Sequence, residues 1–262
     1  MKIITISIFP EMLEQMWAYG IVHRSIASQL VSAISVNLRD FADGKHKITD
    51  DRPYGGGCGM VMKPEPLASA IRWAKTENPN VPCILMSPQG RPFNQKLAQK
   101  MALYPGMILV CGRYEGVDER ICRNYIDDEI SIGDYILTGG ELAAMVVMEA
   151  VIRLIPGALG GEDSAEKDSF ENQLLEHEHF TRPRCFEGES VPDVLLSGNH
   201  SQIKEWRQES TLIRTFLKRR DMLEKRIFSP AEYTILKNWR QEIDAIIETQ
   251  SVSGADSLSG SK

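Results

Sequence analysis

The 262-residue chain reads as an α/β protein: a parallel sheet with helices, followed by a smaller, mostly helical domain. Three observations lead there. Residues 1–155 alternate short β-branched runs with longer amphipathic stretches, the composition changes after Gly157, and helical periodicity resumes only near residue 202. Strands are expected at 2–9, 31–38, 83–87, 107–112 and 129–132. Pro10 suits the first turn of a helix, where its missing N–H costs nothing. Further helices are expected at 67–76, 94–103, 118–125 and 141–154, the last so apolar that it should pack on two sides and ending at Pro156-Gly157. The segment ALGGEDSAEKDSFEN is rich in Gly, Ser and acids without periodicity, and reads as an interdomain linker. Helices follow at 202–218 and, with Ser229 capping Pro230, at 231–247. The ending SVSGADSLSGSK reads as a disordered tail. The expected division is thus 1–160, a linker at 161–171, a helical domain at 172–250 and a tail at 251–262.

Composition narrows the classes. With 30 Lys and Arg against 36 Asp and Glu the net charge is −6, and 42% hydrophobic with 25% charged residues is ordinary for a globular chain. Whole-chain disorder, collagen-like repeats and coiled coil are excluded. No apolar run approaches the roughly 18 residues of a membrane span, and MKIITISIFPEM has no secretory cleavage pattern, so a cytoplasmic protein without membrane attachment is expected. The five cysteines, Cys58, Cys83, Cys111, Cys122 and Cys185, are scattered without a CxxC pair, which argues against a disulfide framework or a structural zinc site. Charge is uneven: residues 200–240 hold ten Lys or Arg and five acids, a local +5 suited to a polyanion.

Glycines mark the chemistry. They gather after expected strands, in Ser87-Pro88-Gln89-Gly90, in Gly112-Arg113-Tyr114-Glu115-Gly116 and in Ile132 to Gly140. Ligands of open parallel sheets bind beyond the carboxyl ends of the strands, and three such loops could hold a flat heteroaromatic ligand through main-chain hydrogen bonds. A fourth cluster, Asp51 to Met60, is rich in glycine, but no Lys-Ser or Lys-Thr follows it and the chain has no GxGxxG. Nucleotide hydrolysis and dinucleotide redox chemistry lose support.

The ordered set SPQG, GRYEGVDER, SIGDYILTGGELA, IPG, SAEKDSF, TRP and VPDVLLSGNH, with the basic segment after it, resembles the bacterial tRNA (guanosine-37-N1)-methyltransferase family over about residues 1–245. The resemblance implies a SPOUT fold with a C-terminal trefoil knot in domain 1–160, S-adenosyl-L-methionine as methyl donor, and a 172–250 domain that holds the tRNA anticodon stem-loop. It also implies a homodimer whose active site is shared between subunits. The cofactor positions map to Leu85, Met86, Ser87, Pro88, Gln89, Gly112, Tyr114, Glu115, Ile132, Gly133, Asp134, Tyr135, Ile136, Leu137, Gly139 and Gly140. Guanine N1 is protonated at neutral pH, so a general base is required. The resemblance gives that role to Asp168 and a helix-terminal arginine to Arg153, which is best used on guanine O6, where negative charge develops. Two other readings compete, a SPOUT methyltransferase for another RNA position and a non-catalytic RNA-binding protein. Cys58 and Ala143 stand where the family has proline, and Glu176 where it has aspartate. The resemblance connects that last carboxylate, Glu115 and Asp168 with Mg²⁺, which the longer Glu176 side chain would still reach in hydrated form.

Overall fold

The structure, a computed structural model, describes residues 1–160, 168–170, 172–224 and 226–256. It divides into two compact units, Met1–Ala165 and Glu166–Lys262.

The first unit is built on five parallel strands: β1 (Lys2–Ser7), β2 (Ser32–Asn37), β5 (Cys83–Pro92), β6 (Gly106–Cys111) and β7 (Asp128–Ser131). Their order is β2-β1-β6-β5-β7, and every pairing is parallel. Side-chain alternation along the central strands divides the core. Met107, Leu109 and Cys111 face one cluster, while Ile108 and Val110 face another. Helices α1 (Pro10–Trp17), α2 (Gly20–Ala27), α4 (Gln95–Ala102) and α6 (Glu141–Ile152) contribute to the first cluster; α3 (Pro64–Glu77) and α5 (Glu119–Tyr125) cover the second. Both faces of the sheet are therefore buried, which is why these strands read as continuous apolar runs. Asn94 and Asp118 cap α4 and α5, each accepting a backbone N–H with its side chain.

In the second unit a two-stranded ribbon, β8 (Cys185–Phe186) with β9 (Glu189–Ser190), and a short α7 (Asp193–Leu196) precede α8 (His200–Lys218) and α9 (Pro230–Asp256). Asn199 caps α8 through Oδ1, which accepts the N–H groups of Ser201 and Gln202. The core is small: Leu174, Leu212 and Leu223 are buried, with Phe228, Ile235 and Trp239 packed on them. Among the described residues no helix is long and apolar enough to cross a membrane.

Four expectations need correction. Ser87 to Gly90 is not a turn ending a strand, because β5 continues to Pro92. Met86 and Arg91 both stand opposite Ile130, so the four residues between them loop out as a bulge. Gly90 closes that bulge, since a Cβ there would lie 2.4 Å from the Glu129 carbonyl carbon. Helix α6 packs on one side only within the subunit, leaving Leu142 and Val146 each 48% exposed. Helix α9 runs on to Asp256, because Gly254 weakens a helix by about 1 kcal/mol without stopping it; residues 257–262 of the expected tail, like 161–167 and 171 of the expected linker, lie outside the described residues. Helix α2 was unanticipated, being one short amphipathic stretch opened by a glycine at φ +63°.

Candidate active site

The carboxyl ends of β5, β6 and β7 open onto a cavity of about 450 Å³, within the size range of small-molecule sites. Its wall contains Leu85, Met86, Ser87, Pro88 and Gln89 from the β5 bulge, and Gly112, Tyr114 and Glu115 from the turn after β6. Ile132, Gly133, Tyr135, Ile136, Leu137, Gly139 and Gly140 close it from the loop between β7 and α6. Of the residues expected at the cofactor, Asp134 alone does not line it; its side chain is exposed to solvent. Residues outside that expected cofactor set also line it, among them Arg113, Val117, Glu129, Thr138 and Ala143.

Two backbone segments meet at the base of this cavity. The Gly140 N–H donates to the Gly112 carbonyl at 2.8 Å. A Cβ on Gly140 would lie 2.9 Å from Cys111 Cα and 3.0 Å from both the Gly112 nitrogen and Met86 Cβ. Only glycine lets the chain cross so close to the end of β6.

Beneath that crossing lies a buried ion pair. Glu141, first residue of α6, is 1% exposed and accepts from Ser7 Oγ at 2.6 Å and from Arg113 Nε at 3.1 Å to both carboxylate oxygens. The Arg113 guanidinium lies over the Phe9 ring, 4.4 Å from its centroid, and the Phe9 N–H donates to Ser7 Oγ. One carboxylate at a helix N-terminus, where the dipole favours negative charge, thereby ties the ends of β1 and β6 to the start of α6. Both residues stand inside motifs visible in the sequence. The signal that could have exposed Glu141 is an acid opening an otherwise apolar helix; its partner 28 residues away had no sequence signal.

The fourth glycine cluster, distant in sequence, is brought to the site as well. It forms the tip of a hairpin whose base pairs β3 (Asp50–Asp51) with β4 (Val61–Met62). That base docks on the turn after β6: Glu115 N–H donates to the Met60 carbonyl and Met62 N–H to the Gly116 carbonyl, both at 2.9 Å. Tyr114 sits in this turn at φ +59°. Burial, together with the charge of Asp50 nearby, pushes its phenol above the ordinary value, so it stays protonated at neutral pH.

Arg153 is the half-buried C-cap residue of α6 and does not line the cavity. Asp168 is half-buried at the start of the second unit. Seven residues further on in that unit, the Glu176 N–H donates to Ser169 Oγ at 3.0 Å, which holds Glu176 next to the Asp168-Ser169 step. Cys83 and Cys111 serve as packing groups of the first unit: burial pushes the Cys83 thiol up to about 12 and raises Cys111 well above its ordinary value.

A parallel α/β unit with a loop-walled cavity beyond its strand ends is the class of protein that binds a small ligand at that edge. Residues 1–225 match the tRNA (guanine-1)-methyltransferase TrmD family, and the chain belongs to that family. It is 55% identical over 259 residues to the tRNA (guanine-N(1)-)-methyltransferase of Desulfatibacillum aliphaticivorans, covering 99% of both chains. To the proteins of that name from Dehalococcoides mccartyi strain BAV1 and Listeria monocytogenes EGD-e it is 49% and 48% identical, over 97% and 91% of this chain and 100% and 98% of theirs.

Proposed function

We propose that this protein is the enzyme that methylates N1 of guanosine 37 in tRNA, with S-adenosyl-L-methionine bound in the cavity at the ends of β5, β6 and β7. The observation that carries the reading is the cavity itself: three loops meet there around a crossing that admits only glycine at position 140. The Gly112 turn and the Ile132 loop flank the cavity where a flat adenine would lie, and Tyr135, Ile136 and Leu137, all exposed, stand in its wall as apolar cover. The close approach of Gly140 to Cys111 and Gly112 fits the chain crossing of a trefoil knot, the SPOUT arrangement.

Bound there, the sulfonium donor supplies an electrophilic methyl group, so no covalent enzyme intermediate is needed. Asp168 takes the N1 proton, which frees the nitrogen lone pair for attack. Arg153 donates to O6 and stabilises the charge that the deprotonated base spreads onto that oxygen. The basic segment 200–240 holds the anticodon stem-loop by its phosphates, and the target base is extruded to reach the site. Mg²⁺ would be held by Glu115, Asp168 and Glu176, all oxygen donors suited to it. The open apolar strip of Leu142 and Val146 on α6 suits a homodimer contact, with each site built from both subunits. Such an enzyme works where tRNA matures, in the cytoplasm.

The test measures methyl transfer from labelled donor to tRNA transcripts carrying G or A at position 37. Activity should require G37, and Asp168→Asn should lower turnover by about 10²-fold or more with donor and tRNA affinity nearly unchanged. Near-normal turnover in that variant removes Asp168 from the role of base. Mixing inactive Gly140→Trp with inactive Asp168→Ala should restore about a quarter of wild-type activity if sites are shared, since half the dimers are mixed and each has one intact site. No recovery despite demonstrated subunit exchange defeats the shared site.

A further inference from the structure

We infer that Glu176, His177 and His179, in the second unit, form a binding site for a borderline divalent transition-metal ion, with Zn²⁺ as the natural probe. One ligand atom from each of the three lies within 4.8 Å of the others. His179 Nε2 is 2.9 Å from Glu176 Oε1, and the two imidazole rings have centroids 4.5 Å apart. Donors around a tetrahedral zinc ion stand about 3.3 Å from one another at metal–ligand distances near 2.0–2.1 Å, so small side-chain rotations suffice to close the set.

Two features separate this cluster from a chance gathering of surface groups. The first is the tautomer of His177. Its Nδ1 is 2.9 Å from the Glu178 carbonyl oxygen, which can only accept, so Nδ1 carries the proton and Nε2 presents the lone pair. A carbonyl holding the far nitrogen is the usual orienting contact of a metal-bound histidine. The second is the backbone. Leu175 N–H donates to Thr215 Oγ1 at 2.9 Å, Glu176 N–H to Ser169 Oγ at 3.0 Å and Glu178 N–H to Ser210 Oγ at 3.1 Å. Thr215 and Ser210 are buried residues of α8, so the strip bearing the three ligands is anchored along that helix. Trp206 of the same helix meets the His177 ring edge-on at 6.2 Å. Ligands on an anchored backbone lose little freedom on binding.

The donor set chooses the metal. Two imidazoles and one carboxylate suit zinc, cobalt, nickel or copper, whereas Mg²⁺ demands oxygen ligands. The site is thus distinct in chemistry from the magnesium assignment above, although Glu176 belongs to both, and a metal bound here would withdraw that carboxylate from Mg²⁺. Three protein ligands leave a fourth position for water.

The experiment titrates the full-length protein, with Cys58→Ser and Cys185→Ser introduced to remove the two exposed thiols, using Co²⁺ followed by visible absorption and Zn²⁺ followed by calorimetry. One equivalent should bind with the absorption of a nitrogen- and oxygen-ligated ion of low coordination number. His177→Gln and His179→Gln should each weaken binding at least about tenfold, and excess Mg²⁺ should not displace the ion. Circular dichroism of each variant verifies that the helical content is unchanged, and the part of the Co²⁺ quenching of tryptophan emission that Trp206→Phe abolishes reports occupancy independently. Binding of equal strength in both histidine variants, loss of binding on removing the thiols alone, or displacement by Mg²⁺ would overturn the inference. None of these outcomes depends on methyl transfer, so failure here leaves the proposed function standing.

Discussion

In the first unit the candidate site is a cavity walled by three loops at the ends of a sheet, and in the second the functional groups are side chains on a strip held from behind by hydrogen bonds. The cavity beyond β5, β6 and β7 owes its shape to a bulge, a glycine crossing and a buried ion pair, all resting on a sheet with a core on each face. Among the described residues of the second unit three leucines are buried, and polar contacts do much of the joining: Trp239 Nε1 to Glu209 at 2.9 Å, Arg226 to Glu232 at 2.7 Å, and the anchors of residues 175–178 on α8. A large core can hold two chain segments in close contact at a glycine. A small one cannot, and satisfies its polar groups locally instead. The two units should therefore fail differently when perturbed.

The largest effect is expected at the buried ion pair. Glu141→Ala leaves Arg113 and Ser7 without their shared acceptor and should destabilise the first unit by about 3–5 kcal/mol. Denaturant titration with thiol labelling checks this: Cys83 and Cys111, buried and unreactive in the folded unit, should become accessible at lower denaturant, while exposed Cys185 of the second unit labels at an unchanged rate. Equal stability in this variant would mean that the crossing does not need its ion pair.

Gly140→Ala comes next. Its methyl must displace the Cys111 and Gly112 backbone, so S-adenosyl-L-methionine affinity measured by calorimetry should fall by about 10²-fold, roughly 2.7 kcal/mol. Far-ultraviolet circular dichroism of the α8–α9 helices should not change.

The second unit answers to pH. At the start of α9, Ser229 Oγ accepts the Glu232 N–H at 3.3 Å and Glu232 accepts the Ser229 N–H at 2.8 Å, a reciprocal capping box. Burial pushes the Glu232 carboxyl upward, but the Ser229 hydrogen bonds and Arg226 outweigh it and hold the group below its ordinary value. A carboxyl lowered in the folded state adds stability above its unfolded pKa, and that stability is lost as pH falls through the lower folded value. Acid should thus loosen the second unit, and Glu232→Gln, costing about 1 kcal/mol at neutral pH, should remove this group's share of the acid sensitivity. Thermal melts of both proteins between neutral pH and the acid range test it.

The smallest effects concern tRNA phosphates. Arg219 is already paired with Asp221 at 2.8 Å, whereas Arg220 lies over the Phe216 ring. Lys218→Gln and Arg220→Gln should each flatten the slope of log tRNA affinity against log salt by up to about one, and Arg219→Gln by less. Equal changes for all three would show that Asp221 does not screen Arg219.

How legible was this in the sequence? Strands β1 and β6 and helices α3 to α6 carried apolar patterning strong enough to locate each within a few residues, because central strands buried on both faces demand apolar runs and helices against them an apolar stripe. The three glycine loops pointed to the cavity for a similar reason: glycine clusters after strands have few other uses. Less visible were α2, the two-residue strands β3 and β4, and the β8–β9 ribbon, each too short to show a period. The bulge at Ser87 to Gly90 looked like a strand end, since nothing local reveals that the strand resumes at Arg91 against Ile130.

The chain by itself therefore determined where the longer strands and helices would form, where glycine would allow close backbone approaches, and through its ordered motifs the family. Tertiary structure alone decided which of those segments meet. The Asp51 to Met60 loop docks on the turn after β6, Glu141 finds Ser7 and Arg113, and Glu176 gathers His177 and His179 on a strip anchored to α8. Local propensity follows from neighbours a few residues away. Buried charges and docked loops depend on groups that only the packed chain brings within hydrogen-bonding reach.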